Sequence, residues 1–347
     1  MVRTRQVHRK EAIEARKARE QAKIKEYLIL NEDILSRKKN KDWSQEALDL
    51  TTRMLQINPE FYTVWNYRRN ILLNGIFANR TSQEINEFLS DDLSLTIVAL
   101  KVHPKVYWIW NHRRWCLEHV PDGPGTDGDG DPEGWRKSYW DKEMFVVEKM
   151  LDADPRNCKF LFPAYTFLFL IFPLVQAWNY RRYVLASMPV PRSETSELAY
   201  TTKKIESNFS NFSAWHQRSK MLTSLWDSGR LDPVKSREDE FELVRNAMFT
   251  DPDDQSVWLY HRWLIGSGDD KMLLENEIAV IQELLDEQPD SKWCLESIVH
   301  YKRLLVSKHG ATTDTARLIR DCHSLLEQLI KLDPARRNRY REIAVGC

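Results

Sequence analysis

Apolar residues recur at three- and four-residue steps in QEALDLTTRMLQI (45–57), KEMFVVEKMLDA (142–153), EDEFELVRNAMF (238–249) and ENEIAVIQELLDE (275–287). That period predicts amphipathic helices with one face in a core. Each is followed by a polar residue, a proline or its insertion-displaced equivalent, and then a second segment of fixed design. A short spacer leads to Trp, and Arg is expected three residues later. The copies are NPEFYTVWNYRR (Trp65, Arg68), HPKVYWIWNHRR (Trp110, Arg113), AWNYRR (Trp178, Arg181), NFSNFSAWHQRS (Trp215, Arg218) and DPDDQSVWLYHRW (Trp258). A weaker copy contains Trp293, and a terminal echo starts at Asp333. Successive Trp residues are 45, 68, 37, 43 and 35 apart, periods that suit stacked helix pairs.

Trp65 and Arg68 are three residues apart and share one helix face. The indole buries in the core, and the guanidinium reaches a carboxylate or exposed carbonyls of a neighbouring helix. Asn58-Pro59, Asp154-Pro155, Asp251-Pro252 and Asp333-Pro334 predict the start of the second helix, a capping side chain before a tolerated proline. His112, His216 and His261 fall inside these helices as hydrogen-bonded scaffold. The pattern predicts an all-α superhelix, a solenoid of helical hairpins that bury their apolar faces only by stacking. Residues 1–40 read as a basic helical leader and 41–347 as the repeat domain.

Composition narrows the function. Glycine is scarce, 11 of 347 residues, which favours helices over turn-rich sheets. Lys+Arg and Asp+Glu are equal at 51 each, against the cation excess of a broad nucleic-acid surface. The charged N-terminus lacks the apolar stretch of a signal peptide. Cys116, Cys158, Cys294, Cys322 and Cys347 form no CxxC pair and no zinc spacing, which predicts reduced thiols in a cytoplasmic protein that binds no metal. Cys347 is terminal, whereas a CaaX box needs Cys where Ala344 stands. The Gly/Asp-rich stretch 121–134 reads as a surface loop. As a calcium loop starting at Asp127, it would put Pro132 and Ser138 where Gly and Glu are required. No phosphate loop, nucleophile elbow or HExxH is present.

Residues 160–176 are anomalous. FLFPAYTFLFLIFPLV is apolar and carries two prolines, and it stretches the Pro-to-Trp interval of the third copy to 23 residues instead of six. The excess of 17 residues reads as an unremoved intron or gene-model error, with a genuine apolar insertion as the alternative. A membrane span is disfavoured because repeats of one solenoid flank it.

The W-x-x-R-R repeats at this period resemble the α subunits of protein prenyltransferases over about residues 40–340. NFSNFSAWHQRS, DPDDQSVWLYHRW and PDSKWCL look most like the Rab geranylgeranyltransferase (type II) branch, in a compact form similar to fungal subunits. The α subunit shared by farnesyltransferase and geranylgeranyltransferase type I is the alternative, and a non-enzymatic helical-repeat scaffold the third reading. The resemblance implies a heterodimer that transfers geranylgeranyl from geranylgeranyl diphosphate to C-terminal cysteines of Rab GTPases presented by an escort protein. The β subunit would hold the zinc and the lipid pocket. Lys105 matches a lysine that reaches the diphosphate in related α subunits, Tyr107 a tyrosine near it, and Asn157 a family asparagine. Cys158-Lys159 departs from the family pattern just after Asn157. Val2 stands where some relatives carry a self-inhibitory histidine.

Overall fold

A computed structural model describes residues 2–124, 131–153 and 167–346; the side chains of 2–13, 15, 153 and 167–176 are not among those described. Every regular element described is helical. One unit holds α1 (Val2–Lys39), α2 (Gln45–Ile57), α3 (Tyr62–Ile71), α4 (Ser82–Val102), α5 (Tyr107–Glu118), α6 (Gly134–Ala153) and α7 (Phe167–Ser187). A second unit holds α8 (Glu194–Ser207), α9 (Phe212–Asp227), α10 (Pro233–Thr250), α11 (Gln255–Ile265), α12 (Lys271–Glu287), α13 (Lys292–His309), α14 (Thr315–Leu332) and α15 (Arg337–Val345). Consecutive helices pair as hairpins, α2 with α3 through α14 with α15. Each unit is therefore a stack of helical hairpins, the all-α solenoid class. Among the described residues no helix is long and apolar enough to cross a membrane.

The repeated tryptophans are core residues: Trp65, Trp178, Trp215 and Trp258 are all but fully buried, and Trp110 nearly so. The structure also explains the six-residue interval. In four of the five copies the indole N–H donates to the carbonyl six residues earlier, from Trp65 to Pro59 (2.8 Å), Trp110 to Pro104 (3.0 Å), Trp215 to Phe209 (2.7 Å) and Trp258 to Pro252 (2.8 Å). A buried indole needs an acceptor, and the turn carbonyl supplies it.

The prediction that Asx-Pro starts the second helix needs correction. Asn58 and Asp251 end α2 and α10 by donating their backbone N–H groups to Met54 and Ala247. Their side chains then accept from the amides two residues on, Glu60 (3.1 Å) and Asp253 (3.3 Å). Asx side chains favour this turn as readily as a cap, so the Trp helices begin three residues after each proline. At Asp333-Pro334 a short 3₁₀ turn, Pro334–Arg336, does start at the proline.

The arginines stitch hairpin to hairpin. Arg68 on α3 donates back to the Leu48 carbonyl, Thr51 and Thr52 on α2. It also donates forward to Asp92 on α4 (3.0 Å from Nε). Arg113 donates back to Leu93 and Thr96 on α4 and forward to Glu143 on α6 (2.8 Å from Nε). Arg218 repeats the scheme with Leu198, Thr201 and Thr202 on α8 and Glu240 on α10 (2.7 Å from Nε). Burial works against these charges, yet Glu143 holds Arg113 protonated more firmly than usual, and Glu240 does so for Arg218. Arg181 instead meets Met144 and Glu148 (3.1 Å) on α6. In the fifth copy His261 occupies the arginine position and bridges Glu277 (2.9 Å) and Tyr301 (2.6 Å).

Candidate functional site

The α4–α5 turn carries the predicted chemistry. His103 ends α4, and Pro104, Lys105 and Val106 lead directly into α5. Lys105 is exposed, and Tyr107 is the first residue of α5, 51% exposed. Trp108 packs edge-on against Tyr107 at 5.4 Å and against Tyr62 at 5.3 Å. Tyr62 opens α3 and is 52% exposed. The structure thus gathers one cation and three aromatic rings at the N-terminal ends of two Trp helices.

Helix starts leave N–H groups without intrahelical partners, and these attract anions. In α3 and α5 no side chain caps them: Phe61 and Val106 stand at the cap positions. In the fourth and fifth copies the cap position holds an acceptor. Asn211 accepts from Ala214 at the start of α9 (3.2 Å), and Asp254 from Ser256 at the start of α11 (2.9 Å). Lys105 stands five residues before its Trp, where the first, fourth and fifth copies have Glu60, Ser210 and Asp253. A lysine beside a positive helix end is mildly unfavourable without an anion. With uncapped amides and a phenol beside it, the arrangement is suited to phosphate oxygens.

Asn157 lies outside the described residues, and so do Cys158-Lys159 and the first part of the anomalous insertion. The second part, from Phe167, is helical and continuous with the segment bearing Trp178. Trp65, Trp110, Trp215 and Trp258 are each the fourth residue of their helix, whereas Trp178 is the twelfth of α7. Eight extra residues move that helix start by about 12 Å. The third copy accordingly offers no helix start at the register of Lys105. Tyr62 was not singled out from the sequence, although the signal exists. It stands three residues before Trp65, as Tyr107 does before Trp110.

Asp92, His112 and Cys116 bring possible metal-ligand atoms within 4.8 Å of one another, all buried. The set is already spent. Asp92 receives the Arg68 guanidinium and the His112 Nε2–H (2.8 Å), and His112 Nδ1 accepts from Arg69 (3.3 Å). Burial opposes the Asp92 charge, but Arg68 and His112 hold its carboxyl well below the usual range. Burial keeps His112 neutral and raises the Cys116 thiol well above its ordinary value, so of the two shifts it is the thiol's that opposes metal ligation, which needs the thiolate. Asp92 and His112 belong to the Arg68 ion-pair network, with the free Cys116 thiol buried beside them.

The repeat described as "Protein prenyltransferase alpha subunit repeat" matches residues 44–75, 89–120, 195–225 and 237–267, and passes over the third copy with its insertion. The chain is 37% identical to a Schizosaccharomyces pombe protein named geranylgeranyl transferase type-2 subunit alpha, covering 94% of this chain and 92% of that one. It is 32% identical to the Saccharomyces cerevisiae protein of the same name, covering 95% and 94%. The Bos taurus protein of that name is 34% identical over 75% of this chain but only 40% of its own length. A solved chain from Candida albicans protein geranylgeranyltransferase-I complexed with GGPP shares the fold, with a TM-score of 0.65, 20% identity and coverage of 92% and 90%.

Proposed function

Because the chain belongs to the protein prenyltransferase α subunits, in the geranylgeranyl transferase type-2 branch, we propose that its open α5 start holds the diphosphate of geranylgeranyl diphosphate. The observation that carries this reading is Lys105 and Tyr107 standing exposed at a helix start with no side-chain cap. As the bond from prenyl carbon to oxygen breaks, negative charge builds on the departing diphosphate. Lys105 and the α5 amides stabilise that charge, and the Tyr107 hydroxyl donates to a phosphate oxygen. Preorganised donors aimed at developing charge are the strongest catalytic aid a helix start offers. Tyr62 and Trp108 wall the site against water. Asn157 belongs to the same reading as a substrate contact from the third copy.

The acceptor in this reading is a Rab GTPase C-terminal cysteine brought by an escort protein, in the cytoplasm. A barrel-type β subunit would contribute the lipid pocket and a zinc that would hold the acceptor cysteine as its thiolate.

The test is co-expression with candidate β subunits and assay on Rab–escort complexes and on CaaX peptides. Transfer to Rab alone supports the reading; transfer to CaaX peptides alone moves the chain to the shared farnesyl-type role. Lys105→Ala is expected to cut turnover of the αβ complex by roughly 10²-fold with heterodimer formation intact. Loss of assembly would make Lys105 structural. We also propose that the 17 surplus residues of the third copy are an unremoved intron or gene-model error, because their removal restores the six-residue Pro-to-Trp interval. Mature transcripts that keep every codon from 157 to 178 would overturn that.

A further inference from the structure

A second concentration of positive charge lies in the other unit, between α11, α13 and α15. A cavity of about 120 Å³ is lined by Arg262, His300, Arg303 and Arg339, with Glu296 and Tyr340 closing it. At ~30 Å³ per water it has room for one tetrahedral oxyanion. A neighbouring cavity of about 280 Å³ shares His300 and Arg303.

The local acids do not balance these cations. Glu296 is the one carboxylate in the lining. It accepts from the Tyr340 hydroxyl at 2.7 Å and is already shared by Arg336 at 3.7 Å and Arg262 at 4.0 Å. Outside the lining, Asp333 faces Arg336 and Tyr340. Arg262 Nε is buried and has no hydrogen-bond partner, an arrangement that costs free energy unless an acceptor arrives. His300 is driven down to about 4 by burial and by the adjacent Arg262 and Arg303. Three guanidinium groups converge on one cavity with less than one carboxylate's worth of compensation. Planar guanidinium forks match phosphate geometry.

We propose that this cavity is a binding site for a phosphate-class oxyanion, held by Arg262, Arg303 and Arg339 and remote in sequence from Lys105. The inference is independent of the prenyl-transfer reading, since none of these residues belongs to it. The bound anion accepts from Arg262 Nε and from the Arg303 and Arg339 guanidinium groups, and its charge favours protonation of His300.

The test is calorimetric titration of the full chain with inorganic phosphate, and separately with inorganic diphosphate, against chloride of matched ionic strength. Saturable one-site binding is expected. Tighter binding of diphosphate would show that the neighbouring cavity joins the site. Arg303→Gln with Arg339→Gln should weaken binding about tenfold or more. Arg337→Gln, exposed on the same helix but outside the lining, should leave it unchanged. Both variants should melt like the parent chain in chloride, which separates lost binding from lost folding. Histidine NMR should show the His300 ionisation rising as phosphate saturates. The proposal fails if no saturable binding exceeds chloride or if the double variant binds equally.

Discussion

Two helix starts in one unit and two in the other carry the same repeat to different ends. α3 and α5 begin without a side-chain cap, whereas α9 and α11 are capped by Asn211 and Asp254. Everything else in the motif is shared: the buried Trp, its bond to the carbonyl six residues back, and a buried hydrogen-bonding residue three further on. The comparison separates what holds the hairpins together from what is available for chemistry. A cap and a bound anion compete for the same N–H groups. Where the cap residue is absent and Lys105 stands in place of Glu60, Ser210 or Asp253, the α5 N–H groups are left open, and the proposed diphosphate role would set binding against local stability.

The shared parts should fail alike in both units. Trp65→Ala and Trp258→Ala are each expected to cost ~3–5 kcal/mol, read as a lowered unfolding midpoint. A much smaller loss in one unit would mean that the repeat is not equivalent there. Arg113→Met leaves Glu143 buried and unpaired and is expected to cost a similar ~3–5 kcal/mol. Adding Glu143→Leu should restore most of it. Gly75→Ala probes a feature confined to the first unit. A Cβ there would lie 2.1 Å from the Trp43 carbonyl oxygen, within the π-helical turn Leu72–Ile76. Overpacking of this kind costs ~1–3 kcal/mol.

The caps themselves give the sharpest contrast. Asp254→Ala should cost ~0.5–2 kcal/mol of stability and leave turnover of the αβ complex unchanged. Val106→Asn copies Asn211 onto α5 and should lower turnover about 2–10-fold while the heterodimer still forms. Unchanged turnover would remove the α5 amides from the site. A pH slope tests the second unit separately. His300 is lowered from 6.5 to about 4 in the folded chain, so the unfolded chain binds the extra proton first. Stability should fall as pH drops from 6.5 towards 4, and His300→Gln should flatten that part of a thermal-melt profile.

Most of the scaffold was legible because its causes are local. The apolar steps of 45–57 coincide with α2, and the Trp–Arg interval places both residues on one face without knowledge of the neighbours. The arginines' carboxylates were not legible. Asp92, Glu143 and Glu240 follow their arginines by 24, 30 and 22 residues, because the intervening loops differ in length. The fifth copy was misleading, since its arginine is Arg262 and the buried position three beyond Trp258 belongs to His261. For the candidate site, Lys105 stood out in sequence only through a resemblance. The missing cap four residues before Trp110 was written in the chain, but it becomes visible only when the copies are aligned on Trp.

Each of three stitching arginines, Arg68, Arg113 and Arg218, reaches back 20 residues to a carbonyl and 17 to a threonine in its own hairpin. Its forward partner always lies in the next hairpin. A hairpin such as α4–α5 is thus a tile with a plug on one edge and a socket on the other. Duplicating one tile adds a plug and its socket together, so such a chain can lengthen without leaving a buried charge unanswered. Ending the chain just after the hairpin of Arg68, Arg113 or Arg218 would remove the forward carboxylate and strand a guanidinium, so shortening there is the harder step.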